Sequence, residues 1–204
     1  MNTTLTGRHC MLKPFDLAQD CEELYHLTRG EAISIDGRLI EKYDCDELVW
    51  RWLFAGPFSS LDEFRAYMTP QARADTPYAI CFCVYDTRFS KPQRVGVVNI
   101  MNYYPEHRKA ELGGIFYSPL AQRTGINTEA TLLLLTYLFE TLTLQRVEWK
   151  CNALNERSRK AALSMGFVFE GIQQKHMIIK GKTRDTVAFT LPLSCIASCY
   201  STHI

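Results

Sequence analysis

The chain has 204 residues, 23 Lys and Arg against 22 Asp and Glu, a formal net charge of +1 and 47% hydrophobic residues. That balance gives no overall electrostatic reason to bind nucleic acid or an anionic membrane surface, and 12% aromatics with only 11 glycines and 8 prolines exclude disordered, low-complexity and collagen-like chains. One domain over residues 1–192 with a C-terminal tail, 193–204, is expected, large enough to bury a sizeable core.

In chain order, Arg8–Phe15 reads as a first strand, and Ala18–Thr28, with Cys21, Leu24, Tyr25 and Leu27 on one side, as an amphipathic helix. Residues 30–57 carry no clean period. Ser60 stands three positions before Glu63, the Ser-x-x-Glu pattern of a capping box, and predicts a second helix through Phe64, Tyr67 and Met68 to Pro70. Three strand-like runs follow, Tyr78–Tyr85, Val95–Met101 and Ala110–Tyr117, separated by polar and proline-containing turns as in an antiparallel meander. The third contains Gly113-Gly114, which weaken a strand and mark either a bulge or a place where a backbone or a ligand comes close.

The next segment, Asn127–Leu142, is apolar on nearly all sides through Leu132, Leu133, Leu134, Leu135, Leu138 and Phe139, and predicts a long helix packed on a sheet. Its apolar core is about half of the ~20 residues that cross a bilayer, so no membrane anchor is expected. Arg146–Cys151 reads as a short strand, Asn155 as the cap of a helix over Glu156–Met165, and Gly166-Phe167 as its left-handed stop with a hydrophobic contact. Two final strands, near Phe167–Ile179 and Thr186–Leu191, join through Lys180-Gly181-Lys182, and the tail from Leu193 shows no period. The order β-α-α-β-β-β-α-β-α-β-β makes an α/β (α+β) domain with a mixed sheet.

Neither end of the chain carries a targeting, prenylation or retention signal, and a cytoplasmic location is the expectation. The 8 cysteines are scattered through a chain with core enough of its own, so reduced, mostly buried thiols are expected. No Cys-x-x-Cys occurs and the 5 histidines never fall at ligand spacing, so no metal is expected.

Chemistry concentrates in Ser118–Ala130, where a strand end runs through a glycine-containing loop into the N-terminus of the long helix. Free backbone N–H groups and the helix dipole make such a junction an anion site. Arg123 adds a fork of donors suited to phosphate oxygens, and Gly125 lets a ligand approach without a side chain in the way; an ordinary turn with an exposed arginine has the same sequence.

The Gln-Arg-x-Gly loop at 122–125 after a meander, the following helix, and then Asn155-Glu156-Arg157-Ser158 with Gly166-Phe167 together resemble the GNAT superfamily of N-acetyltransferases, in its RimJ/RimL-like branch. The resemblance runs from about Arg8 to Pro192 and implies the acyl-CoA N-acyltransferase fold and acetyl transfer from acetyl-CoA to a primary amine, a protein N-terminus or a small molecule, in a ternary complex. It implies that the backbone of Gln122, Arg123, Thr124, Gly125, Ile126 and Asn127 holds the pyrophosphate, with Asn127 standing where glycine or alanine is usual. It also implies that Asn155 approaches the pantetheine arm, although a plain helix cap accounts for the same residue.

Amine attack on a thioester needs a group to take the ammonium proton, one to stabilise the oxyanion, and one to hydrogen-bond the departing sulfur. Where many family members place a tyrosine for the sulfur, this chain has Ala162, and the resemblance passes that role to Ser158; a serine in a first helical turn also simply bonds local backbone. Glu111, in the Glu-Leu-Gly of the third meander strand, matches the family's base, with a salt-bridged strand carboxylate as the bland alternative. The carboxylate expected farther on is replaced by Met177, beside His176. For the acceptor, Trp50, Trp52 and Phe54 with neighbouring acids suit an amine cation, while core packing or a homodimer face suits the same residues. A catalytically silent CoA-binding module and a protein-interaction domain built on 50–58 are the rival functions.

Overall fold

Helix α1 (Leu17–His26) begins where Asp16, in an extended conformation, accepts the otherwise free N–H groups of Ala18 and Gln19. Helix α2 (Leu61–Met68) begins at Ser60, whose hydroxyl accepts the Glu63 N–H at 3.2 Å. The reciprocal arm of the capping box lands one residue early, because the Glu63 carboxylate accepts from the N–H and hydroxyl of Ser59. The computed structural model describes residues 3–72 and 79–193. Tyr78 and the tail beyond Leu193 lie outside them.

The strands are β1 (Leu5–Thr6), β2 (Cys10–Pro14), β3 (Ile33–Ile35), β4 (Arg38–Ile40), β5 (Ala79–Asp86), β6 (Gln93–Tyr104), β7 (Lys109–Tyr117), β8 (Arg146–Asn152), β9 (Val168–Ile179) and β10 (Lys182–Pro192). Eight of them hydrogen-bond in the order β1-β2-β5-β6-β7-β8-β10-β9, a mixed sheet, and β3 and β4 pair separately. The chain divides into two compact units, Met1–Asn99 with Gly114–Leu133, and Ile100–Gly113 with Leu134–Ile204.

In the first unit β2 pairs antiparallel with β1 and β5, and α1 and α2 bury Leu24, Tyr25, Phe64 and Met68 in one core with Trp50 and Phe116. The unperiodic stretch 30–57 contains the β3/β4 hairpin, turned by Asp36 and Gly37 at φ 49° and 75°, and a single π turn over Asp46–Trp50. Strands of three residues are too short to show alternation, which hides them from a periodicity reading. The glycine pair of β7 marks close approach by protein. A Cβ on Gly114, at φ 57°, would stand 2.6 Å from Asn99 Nδ2, which donates to the Gly114 carbonyl. A tighter approach exists at Gly96, where a Cβ would meet the Phe116 carbonyl oxygen at 2.3 Å. Because that obstacle is backbone, Gly96→Ala should destabilise the protein by about 2–4 kcal/mol, read as a lowered denaturation midpoint at unchanged m-value.

In the second unit β7 runs parallel to β8, from Lys109 opposite Arg146 to Leu112 opposite Trp149, and β10 lies antiparallel between β8 and β9. Strand β10 starts at Lys182 rather than Thr186, because Lys180 and Gly181, at φ 50° and 72°, make a two-residue hairpin turn and pairing begins directly after it. Pairing in that hairpin is not continuous; its register shifts between Arg184 and Thr186 and again between Ala188 and Phe189. Asn155 caps α4 (Glu156–Ser164), and Gly166 at φ 87° stops it while the Phe167 N–H closes onto the Ala162 carbonyl at 3.0 Å. The long apolar helix is α3 (Ile126–Thr136), continued by one π turn over Tyr137–Thr141, and none of Ile126–Phe139 is exposed. No helix among the described residues is long and apolar enough to cross a membrane.

Candidate active site

The first unit presents the loop. Between β7 and α3 the chain turns left-handed at Arg123 and Gly125, φ 61° and 85°, and both residues are exposed. Its other side chains tie it down: Gln122 Nε2 donates to the carbonyls of Leu48 (2.9 Å) and Tyr117 (3.0 Å), and the Thr124 hydroxyl donates to the Ala121 carbonyl at 2.6 Å. From the β5–β6 turn, Arg88 grips Asp86 with Nε and Nη2 and donates Nη1 to the Thr124 carbonyl at 3.3 Å. Burial pushes the Asp86 carboxyl up, but the Arg88 bonds outweigh it and hold the group below its ordinary range. Carbonyl and following N–H point opposite ways across a planar trans peptide. Arg88 on the Thr124 carbonyl therefore aims the Gly125 N–H away from itself.

The first N–H groups of α3, from Ile126, Asn127 and Thr128, have no intrahelical acceptor and add to the loop's donors. The side-chain oxygen of Asn127 is buried without a hydrogen-bond partner, as are the hydroxyls of Tyr117, Ser118 and Thr131. Arg88 was missed in the sequence because only the β5–β6 turn brings it to residue 124; its signal was Asp86-Thr87-Arg88, an ion pair closed within a turn.

The acceptor residues divide. Trp50 is 1% exposed and spends its indole N–H on the Thr28 carbonyl at 2.9 Å, so it is core, locked edge-on against Phe58 and Phe64. The expectation of a substrate contact at Trp50 is corrected accordingly. Trp52 is half-buried and Phe54 exposed, and both remain accessible.

In the second unit, side chains alternate across β8. On one face Glu111, 7% exposed, accepts from Asn102 Nδ2 (2.9 Å) and Lys150 Nζ (2.8 Å), both at Oε2. Glu148 lies opposite Glu111 in the parallel register, and Lys150 bridges the two carboxylates with a second bond of 2.7 Å. Burial lowers the Lys150 pKa, but the two carboxylates overcompensate and the net shift is upward. For Glu148 burial raises the pKa, and bonds from Lys150 and Arg146 outweigh it, holding the carboxyl down at about 2. A depressed carboxylate stabilises the fold above its unfolded pKa, and that contribution disappears as the pH falls from about 4.5 towards 2. Stability should fall by on the order of 3 kcal/mol across that window from this group, and Glu148→Gln should flatten the corresponding part of a denaturation-midpoint profile.

On the other face of β8, Trp149 Nε1 donates to Ser158 Oγ at 2.9 Å, and Cys151 is buried on the same side of the strand. Ser158 N–H donates to Asn155 Oδ1 at 3.1 Å, so the Asn155 side chain is a helix cap. Glu111 and Ser158 are thus served by opposite faces of β8. Ala162 is fully buried, which closes that position to a ligand. His176 is exposed with Nδ1 at 3.0 Å from the Thr186 hydroxyl, and Met177 is half-buried. Trp149 escaped the sequence reading because a strand tryptophan beside buried residues reads as core; the alternation Val147, Trp149, Cys151 facing α4 was its signal.

Among the described residues no group of three or more His, Cys, Asp or Glu could hold a metal ion, and the six described cysteines are free thiols. Burial raises the Cys10 thiol to about 12, and the other described thiols are raised as well, so none is a reactive thiolate at neutral pH.

Residues 32–168 match the family model of the acetyltransferase (GNAT) domain. YdaF of Bacillus subtilis (strain 168), named provisionally as a ribosomal N-acetyltransferase, is 31% identical over 176 residues, covering 79% of this chain and 92% of its own. A GCN5-related N-acetyltransferase from Brucella melitensis superposes with a TM-score of 0.86 at 29% identity, over 98% of this chain and 83% of that one. The Salmonella typhimurium acetyltransferase described as modifying the N-terminal serine of ribosomal protein L7/L12 shares the fold, at a TM-score of 0.75 and 16% identity, over 94% of this chain and 99% of its own. These relatives agree with the RimJ/RimL-like resemblance of the sequence. With two thirds of its length inside the family model and the family's loop, cap and glycine stop at their expected places, the chain belongs to the GNAT acetyltransferases.

Proposed function

We propose that the protein transfers the acetyl group of acetyl-CoA to a primary amine by direct attack in a ternary complex. The observation that carries this reading is the loop at 122–127. Gln122 and Thr124 spend their side chains holding it, while Arg123 and Gly125 stay exposed and left-handed, which leaves backbone N–H groups and a guanidinium for the pyrophosphate. The buried, unpartnered Asn127 oxygen fits the same ligand, since the pantetheine arm carries amide N–H and hydroxyl donors.

Acetyl-CoA supplies the thioester carbon and a thiolate leaving group. Glu111 takes the ammonium proton on Oε1, the oxygen that Asn102 and Lys150 leave unused. Ser158 hydrogen-bonds the departing sulfur. Trp52 and Phe54 form the accessible part of the acceptor surface. A protein N-terminus is the first acceptor to test, because YdaF carries a ribosomal name. The free thiols suit the cytoplasm, where acetyl-CoA is available.

Screening peptides with free N-termini and small amines against acetyl-CoA, while following free CoA thiol, tests the reading. Thiol release with at least one amine is expected. Binding of CoA without release on any amine would make the protein a silent CoA-binding module, and no binding would end the proposal.

A further inference from the structure

We infer that Trp149 is a positioning residue for the departing thiolate, acting through Ser158; this rests on the acetyl-transfer reading above. A serine hydroxyl has one proton to donate and two lone pairs to accept with, and an indole N–H only donates. The 2.9 Å bond from Trp149 Nε1 therefore fixes Ser158 Oγ as an acceptor on that side and turns its own proton elsewhere. Left alone in a first helical turn, a serine hydroxyl bonds a backbone carbonyl of the preceding turn or the local cap. Here the indole occupies one lone pair of Oγ, and the serine's own proton is left to turn towards a ligand sulfur. A developing thiolate is a strong acceptor for that proton, so the bond tightens as charge builds on the departing sulfur. Donation into Oγ also polarises the O–H bond.

The tryptophan is itself held. It is 5% exposed on β8 and packs edge-on against Phe167 with ring centroids 5.7 Å apart, the Phe167 that closes α4. Strand, helix cap and helix stop thus set one hydroxyl in one orientation. As the C–S bond breaks, its electron pair leaves on sulfur and meets the Ser158 hydrogen bond, the nitrogen's proton goes to Glu111, and the thiolate is protonated later by solvent.

Trp149→Phe keeps the ring and removes the N–H. It should lower kcat about three- to tenfold, the rate equivalent of one hydrogen bond, with calorimetric CoA affinity unchanged. The deciding comparison is the same change made in Ser158→Ala: if Trp149 acts through the serine, it costs nothing further there. In the ligand-free protein the Trp149 indole N–H resonance should shift when Ser158→Ala removes its acceptor. Should Trp149→Phe fold poorly, benzothienylalanine at position 149 replaces N–H by sulfur in a ring of the same shape and is expected to give the same kcat loss. Wild-type kcat in these variants, a loss that persists undiminished in Ser158→Ala, or an unmoved indole resonance would overturn the inference while leaving acetyl transfer intact. No thiol release by the wild type on any amine would instead remove the reading on which it rests.

Discussion

Gly125→Val should cost at least a hundredfold in acetyl-CoA affinity while the protein stays folded. At φ 85° the residue is in the left-handed region that β-branched side chains avoid, and a Cβ there meets nothing within 4 Å. Valine therefore does not collide with the resting protein. It either strains the loop or drags it out of the left-handed turn, and both outcomes move the Gly125 and Ile126 N–H groups off the phosphate oxygens while placing methyl groups where the pyrophosphate approaches. Arg123→Ala removes one charge-assisted contact, worth roughly tenfold, and leaves the backbone donors in place. Calorimetry with CoA, alongside a thermal midpoint for each variant, separates the two, and unchanged affinity in both would remove the phosphate role from the loop.

The second large effect concerns Glu111. Glu111→Gln keeps the shape of the side chain and a bond for Lys150, which Glu148 also holds, so folding should survive. Glutamine cannot accept a proton. With one acceptor amine of known pKa, kcat/KM should fall on the order of a hundredfold at pH 7, and the deficit should shrink as the pH rises and more of the acceptor is neutral before it binds. Wild-type rates from pH 6 to 9 would make Glu111 a structural member of the Lys150 bridge, and proton removal would pass to water or a backbone carbonyl.

What the sequence made legible was local. The caps at Ser60 and Asn155 and the stop at Gly166 depend on neighbours three or four residues away, and the structure builds them there. The strands at 79–86, 93–104 and 109–117 also follow from short runs of β-branched and aromatic residues. What escaped was set by distant partners. The β3/β4 hairpin was too short for a period, and the first residues of β10 are polar, paired because a two-residue turn aims them at β9. The alternatives left open for Ser158 and Trp50 depend on where one proton goes. The partners are Trp149 on another element for Ser158 and the Thr28 carbonyl, 22 residues away, for Trp50. Lys150 likewise reaches Glu111 across 39 residues, a bond that no spacing rule anticipates.

Strand β9 is the last in the sheet order, and it carries Val168, Phe169, Ile172 and Ile178 each more than half exposed. A straight apolar edge of 12 residues is a template on which a second chain can add its own backbone. The two register shifts interrupt that straight edge. They cut the paired rungs into Val168–Phe169, Gly171–Gln173 and Met177–Ile179, with Lys175 left-handed at φ 49° and its N–H capped by the Asp185 carboxylate at 2.7 Å. No run keeps more than three residues in line, shorter than the five or six of an ordinary strand. The irregular hairpin thus limits how much aligned backbone this hydrophobic margin can offer, and straightening it, which takes removal of Glu170 and of two residues among Gln174, Lys175 and His176, should lower colloidal solubility.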